Sequence, residues 1–153
     1  MREREQKLVL AIASGGGHWQ QLLRLRPAFE GVRTVYVTTD GAYAKDVSGS
    51  ELFVVTDANR NVPLKLARSS IEVLWKVMRT RPDVVISTGA APGLVGILFG
   101  RLLGARTIWI DSIANAEKLS LSGRIASRVA HIALTQWPDL AATRGPSYHG
   151  SIL

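Results

Sequence analysis

The stretch that most limits how this chain folds is Leu8-Val9-Leu10-Ala11-Ile12-Ala13, an unbroken apolar run leading straight into Ser14-Gly15-Gly16-Gly17-His18. A strand-length run without polar alternation is buried on both faces, and such strands occur in parallel sheets covered by helices on either side. Behind the glycines, apolar residues at 19, 22, 23, 25 and 29 approach helical spacing, so the unit reads as strand, tight turn and helix start. Glycines let the backbone approach a ligand closely, and the N–H groups and dipole of a helix start favour an anion. Function is expected at this turn, with His18 beside the anion.

The remaining chain repeats the alternation. The first helix, residues 19–29, is expected to kink or end near Pro27. Residues 33–38 form a second strand, 39–43 an Asp-Gly turn, 52–56 a third strand and 57–63 a polar loop. Apolar positions 64, 66, 67, 71, 74, 75 and 78 predict a helix over 64–80, stopped by Arg81-Pro82. Residues 83–87 read as a buried strand, 88–93 as a second glycine-rich turn, and 94–103 as an apolar helix ending at Gly104. That helix is expected to pack, with an interfacial position as the alternative. A strand over 106–110, a polar irregular segment over 114–122, a helix from Ser122-Gly123-Arg124 to about Ala130 and a last strand over 131–134 follow. Residues 135–140 start a final turn or helix. The expected fold class is α/β: a Rossmann-like, mainly parallel sheet with helices on both faces, in a single domain over 1–153.

The chain has no cysteine, which excludes a disulfide framework and cysteine-based metal or nucleophile chemistry. The apolar stretch behind the charged start is about seven residues long, too short for a signal or spanning helix, so the chain is expected to be unexported. The formal charge of +7 is uneven: residues 1–60 hold eight basic and seven acidic side chains, residues 61–153 eleven and five. Phosphorylated substrates and an anionic membrane surface suit that surplus, as does a plain solvated surface. Without an RNP or zinc-finger signature or a dense Lys/Arg run, no nucleic-acid partner is expected.

In open parallel sheets ligands gather at the carboxyl ends of the strands. The polar segments 14–18, 38–43, 87–93 and 111–117 all fall there. The first is not a dinucleotide fingerprint, since Gln20 stands where a third glycine is needed, and no Gly-Lys-Ser/Thr makes it a P-loop. His18 reads either as a packing residue or as a general base or phosphate contact, and its place beside the turn favours the latter. Asp111 and Glu117 are candidate acids, with solvated or capping roles as the alternative. The histidines at 18, 131 and 149 match no short metal motif, so no metal is expected. His131 is expected to be structural, Trp75 and Trp109 to lie in the core, and Trp19 and Trp137 to be available to a ligand or partner.

Several segments together resemble the oligosaccharide-biosynthesis family. They are Ala13-Ser14-Gly15-Gly16-Gly17-His18, Arg81-Pro82-Asp83-Val84-Val85-Ile86-Ser87-Thr88-Gly89, Leu119-Ser120-Leu121-Ser122-Gly123-Arg124 behind Asp111-Ser112, Gln136-Trp137-Pro138-Asp139-Leu140 and Tyr148-His149-Gly150. The family includes the membrane-anchoring subunit of the eukaryotic dolichol-linked UDP-N-acetylglucosamine transferase and bacterial exopolysaccharide and capsule glycosyltransferase subunits. The pair of the 119–124 and 136–140 motifs is its most specific part.

The resemblance implies a GT-B amino-terminal-type half, receiving a lipid-pyrophosphate-linked acceptor at the inner face of the cell membrane. A separate donor-binding glycosyltransferase subunit would hold most of the UDP-sugar, and this cytoplasmic, peripherally attached chain would bind no cofactor. Carried onto this sequence, Ser14, Gly15, Gly16, Gly17 and His18 form the acceptor and catalytic turn, and Thr88, Gly89 and Gly93 the second loop. Asp111, Ser112, Glu117, Ser122, Arg124, Trp137 and Tyr148 line the cleft or the interface. Arg124 would offset pyrophosphate charge. Two features depart from the family: these residues hold no counterpart of the membrane helix that starts its eukaryotic members, so attachment by a span is not expected, and Asp111 stands where many members have glutamate. The implied activity is inverting sugar transfer with His18 as base; the alternative is a non-catalytic recruitment subunit.

Overall fold

The computed structural model describes residues 6–58 and 61–152. The charged start over 1–5 and positions 59 and 60 of the polar loop lie outside the described residues. Seven strands form one sheet in the order β3-β2-β1-β4-β5-β6-β7, and every neighbouring pair is parallel. They are β1 (Leu8–Ala13), β2 (Arg33–Thr38), β3 (Glu51–Val54), β4 (Val84–Gly89), β5 (Arg106–Ile110), β6 (Ile132–Thr135) and β7 (Ser147–Tyr148). The helices are α1 (Gly17–Arg24), α2 (Pro63–Thr80), α3 (Ala90–Leu102) and α4 (Leu121–Val129).

Strand alternation sorts the core into two layers. Leu8, Leu10 and Ile12 of β1 meet Val73 and Val77 of α2, Ile97 of α3 and Ala126 of α4. Val9, Ala11 and Ala13 point the other way, onto Trp19 and Leu22 of α1, with Tyr36 and Val47. Helices therefore cover both faces, as the apolar runs demand, and the fold is Rossmann-like.

The main departure from the sequence expectation is at the second glycine-rich segment. It is no loop: β4 runs through Gly89 and α3 begins at Ala90. Gly93, Gly96 and Gly100 instead face the sheet, where a Cβ would collide with Ser87, Ile12 and Val85 respectively. These glycines serve close helix-to-strand packing, so α3 is the packed helix of the two alternatives.

Smaller differences have local causes. Helix α1 stops at Arg24, and Pro27 lies in a separate 3-10 turn, Arg26–Phe29. The Asp-Gly turn opens a 3-10 helix, Gly41–Val47, capped by Asp40 accepting the Ala42 N–H at 2.9 Å. Strand β7, two residues long, follows β6 as a further edge strand. The tryptophans are partly exchanged: Trp109 is buried as expected, but Trp75 is 48% exposed and Trp19 fully buried. Trp19 stacks on Tyr43 at 5.0 Å and donates its Nε1–H to Asp46 at 3.0 Å, leaving it no face for a ligand. No helix among the described residues is long and apolar enough to cross a membrane.

Candidate functional site

At the carboxyl edge lies a pocket of about 410 Å³ whose wall includes His18, Ala90, Ala91, Ser112, Leu121 and Ser122. His18 belongs to the first turn of α1, Ala90 and Ala91 open α3, and Leu121 and Ser122 open α4. Three helix amino-termini thus converge on one cavity, and their partial positive charges and outward N–H groups suit an anion.

His18 is half-buried and tied twice to Thr88. Its ring Nδ1 lies 3.1 Å from the Thr88 carbonyl oxygen, and Thr88 Oγ1 donates to the His18 carbonyl at 2.7 Å. A carbonyl only accepts, so the neutral ring carries its proton on Nδ1 and its lone pair on Nε2. Gly89 makes room for it. A side chain there would come within 3.0 Å of His18 Cγ and closer still to Nδ1, and Gly89 has φ 144°. Ala90 follows at φ 66°, a left-handed conformation that alanine adopts only under constraint, and it lines the pocket.

The glycine turn is partly committed already. The Gly15 N–H donates to Thr39 Oγ1 at 3.2 Å and the Gly16 N–H to Tyr43 OH at 2.9 Å. The first intrahelical bond runs from Gln20 N to Gly16 O at 3.1 Å, and Trp19 is fully buried, so the amides facing outward from the helix end are those of Gly17 and His18. The Gly15 and Gly16 amides, expected to face an anion, are thus already bonded within the chain. Ser14 is half-buried where β1 ends.

Asp111 does not line the cleft. It is 2% exposed and accepts four bonds: from Trp109 Nε1 at 3.2 Å, Asn115 Nδ2 at 3.1 Å, Ser120 N at 3.1 Å and Ser120 Oγ at 2.7 Å. Its carboxylate folds the 111–120 segment against the start of α4, one layer behind the pocket wall. Ser112 does reach the pocket, and its Oγ accepts from Gln21 Nε2 at 3.1 Å and Ala114 N at 3.2 Å. With both lone pairs used, its hydroxyl is left to donate. Behind it, Gln136 Nε2 donates to Gln21 Oε1 at 2.7 Å and to the Asp111 carbonyl at 2.9 Å, while Gln136 Oε1 accepts the Ile152 N–H at 2.8 Å.

Of the sequence-selected residues, His18, Thr88, Gly89, Ser112 and Ser122 meet at or immediately behind the pocket. Gly93 faces Ser87 inside the packing of α3 instead. Glu117 and Arg124 are exposed and outside the pocket wall, and Tyr148 sits on edge strand β7. Trp137 is half-buried and donates to the Ile113 carbonyl at 2.7 Å, a role in holding the loop. His131 is structural: its Nδ1 accepts the Thr107 N–H at 3.1 Å, and desolvation followed by the charges of Arg101 and Arg106 holds its pKa below the ordinary imidazole value. Among the described residues no three His, Cys, Asp or Glu side chains converge as a metal site. Sequence reasoning placed the 119–124 segment along the cleft, where Ser120 does line the pocket, but missed the bonds of Ser120 and Asn115 to Asp111 and the Gln21–Gln136 pair. The serine-glycine spacing ahead of α4, a helix-cap signal, was the available pointer to Ser120, whose Oγ accepts the Gly123 N–H at 2.8 Å.

Known proteins share this architecture. The chain is 27% identical over 165 residues, 87% of its length and 74% of the other's, to the UDP-N-acetylglucosamine transferase subunit ALG14 of Eremothecium gossypii. It is 26% identical over 169 residues to the subunit of that name in Homo sapiens, covering 90% and 78% of the two chains. Among solved structures, Acinetobacter baumannii MurG superposes with a TM-score of 0.75 at 18% identity, over 95% of this chain and 46% of that one. A UDP-N-acetylglucosamine 2-epimerase from Rickettsia bellii superposes with a TM-score of 0.72 at 13% identity, over 97% and 46%. The chain therefore spans less than half of either solved chain, and the likeness is one of fold, a Rossmann-like half-domain of GT-B type. Residues 54–152 match the family model described as oligosaccharide biosynthesis protein Alg14 like, and the chain belongs to that family.

Proposed function

We propose that this chain is the acceptor-side half of a two-chain, inverting glycosyltransferase that moves a sugar from a UDP-sugar to a lipid-pyrophosphate-linked acceptor. A separate donor-binding subunit holds the UDP-sugar, and this chain works without a cofactor of its own at the inner face of the cell membrane. The observation that carries the reading is the His18 ring, bonded through Nδ1 to Thr88 on the wall of a pocket ringed by three helix starts. The relatives' description as transferase subunits supports the class and the need for a partner.

In this mechanism the outward amides of α1 and the starts of α3 and α4 hold the acceptor pyrophosphate, and Ser112 donates a further hydrogen bond. Nε2 of His18 takes the proton of the acceptor hydroxyl as its oxygen attacks the anomeric carbon. The bond from that carbon to the UDP oxygen breaks on the opposite side, UDP leaves with the electron pair, and the configuration inverts. Base catalysis of this kind contributes about 10²- to 10⁴-fold.

A second reading, recruitment without chemistry, is favoured by the commitment of the Gly15 and Gly16 amides to Thr39 and Tyr43. The two part in kinetics of the assembled pair of chains. Loss of kcat on His18→Ala at saturating acceptor supports the base; a raised KM with kcat intact supports recruitment.

A further inference from the structure

Ser112 and Ser120 both stand on the wall of the His18 pocket, and they differ in where their protons go. Ser120 is committed: its Oγ donates to Asp111 Oδ1 at 2.7 Å and accepts the Gly123 N–H at 2.8 Å. Ser112 is the reverse. Its Oγ accepts twice, from Gln21 Nε2 at 3.1 Å and from Ala114 N at 3.2 Å, and no hydrogen bond among the described residues takes its proton.

The direction of the Gln21 bond is fixed from the far end of a short chain of buried amides. Gln136, just behind β6, meets two backbone groups of opposite sense: its Oε1 accepts the Ile152 N–H at 2.8 Å, and its Nε2 donates to the Asp111 carbonyl at 2.9 Å. A backbone N–H only donates and a carbonyl only accepts, so the Gln136 carboxamide has one orientation. Its Nε2 then donates to Gln21 Oε1 at 2.7 Å, and that oxygen also takes the Ile113 N–H at 3.3 Å. Gln21 is left with Nε2 alone to offer Ser112. Both glutamines and Ser112 are buried, and turning over either amide would set donor against donor or acceptor against acceptor where no solvent repairs the loss. Gln21 lies on α1 three residues after His18, so the relay also ties the helix of the imidazole to the serine.

We infer that Gln136 and Gln21 are positioning residues that make Ser112 an obligate donor into the pocket, so that the site takes an anionic oxygen at that point and turns away a ligand presenting an N–H or O–H there. An oxyanion gains a charge-assisted bond from a hydroxyl whose proton is already committed to the pocket. A ligand donor finds no lone pair on Ser112 Oγ, because Gln21 and Ala114 occupy both. The identity of that oxygen, as one of the acceptor pyrophosphate, rests on the acceptor-side reading; the orientation of the hydroxyl does not.

Neutron diffraction from deuterium-exchanged crystals of the full chain reads the hydroxyl with no ligand bound. The Ser112 deuteron is expected on the pocket side, and a deuteron donated by Ser112 to Gln21 would overturn the inference. Calorimetric titration of the full chain with inorganic pyrophosphate reads the consequence. Gln21→Glu is nearly isosteric but offers Ser112 only oxygen, which draws its proton out of the pocket and should weaken binding about tenfold. Gln21→Met strands the Ile113 N–H and should melt lower, yet it leaves the hydroxyl free to donate, so binding should stay within about twofold of the parent. Ser112→Ala should weaken binding about tenfold, and Gln21→Glu should cost nothing further on that background, whereas a plain charge effect would persist there. In the assembled enzyme the same order is expected in KM for the acceptor, with kcat little changed. Binding by Gln21→Met as weak as by Gln21→Glu, or additive losses from Gln21→Glu and Ser112→Ala, would overturn the inference and leave the acceptor-side reading standing. A parent chain that does not bind pyrophosphate, with the deuteron on the pocket side, would overturn that reading and the choice of ligand instead.

Discussion

His18 and Thr88, seventy residues apart, are joined by reciprocal hydrogen bonds: ring Nδ1 to the Thr88 carbonyl at 3.1 Å, and Thr88 Oγ1 to the His18 carbonyl at 2.7 Å. The first orients the imidazole and sets its tautomer; the second joins the backbone at the start of α1 to β4. Only the first depends on the side chain at position 18. Removing the imidazole should therefore leave the fold in place: His18→Ala in the assembled enzyme is expected to lower kcat by about 10²- to 10⁴-fold. Thermal melting of the variant, measured beside the kinetics, should stay close to that of the parent chain.

Gly89→Ala is expected to damage the same function without touching His18 itself. The new Cβ would enter the space of the imidazole, and φ 144° is strained for any side chain, at about 1–3 kcal/mol. Activity should fall towards that of His18→Ala. In a double-mutant cycle read by urea unfolding, Gly89→Ala should cost less stability on the His18→Ala background, where the collision is gone. Equal costs on both backgrounds would count against the contact.

Asp111 is a keystone of the 111–120 segment, so its substitution reads out as stability. Asp111→Ala strands the donors of Trp109, Asn115 and Ser120 in a buried site and is expected to cost about 3 kcal/mol in urea unfolding. Asp111→Asn keeps one accepting oxygen and should cost less. A loss below about 0.5 kcal/mol for the alanine variant would contradict the buried network.

His131 gives a pH signature. Its pKa is lowered in the folded chain, by desolvation and then by Arg101 and Arg106, so the unfolded chain binds the proton more readily. The stabilisation is present above the unfolded imidazole value and is lost as pH falls through it towards the folded value. Protonation also removes the lone pair that accepts the Thr107 N–H at 3.1 Å. Chemical denaturation from neutral to mildly acid pH should show this loss in the parent chain and a flatter profile in His131→Gln.

The parts of this structure legible in the sequence were those governed by local chemistry. The β-branched and aromatic runs over 33–38 and 106–110 became strands with those bounds, because nothing else suits such residues in so short a run. Glycine was ambiguous: the residues at 93, 96 and 100 serve helix packing, which depends on strand side chains distant in sequence. Apolar period alone also failed to say which of two stripes on α2 faces the core, so Trp75 was misassigned to it. At the site, His18 beside a glycine turn was visible, but the tautomer set by Thr88 and the burial of Asp111 by Ser120 arise only when separate segments meet.

The most direct test of a half-enzyme is the rate of sugar transfer to a lipid-pyrophosphate acceptor by this chain alone, by a donor-binding subunit alone, and by the two mixed. No transfer by either separately and transfer by the mixture is the expected result. Transfer by this chain alone at the rate of the mixture would contradict it.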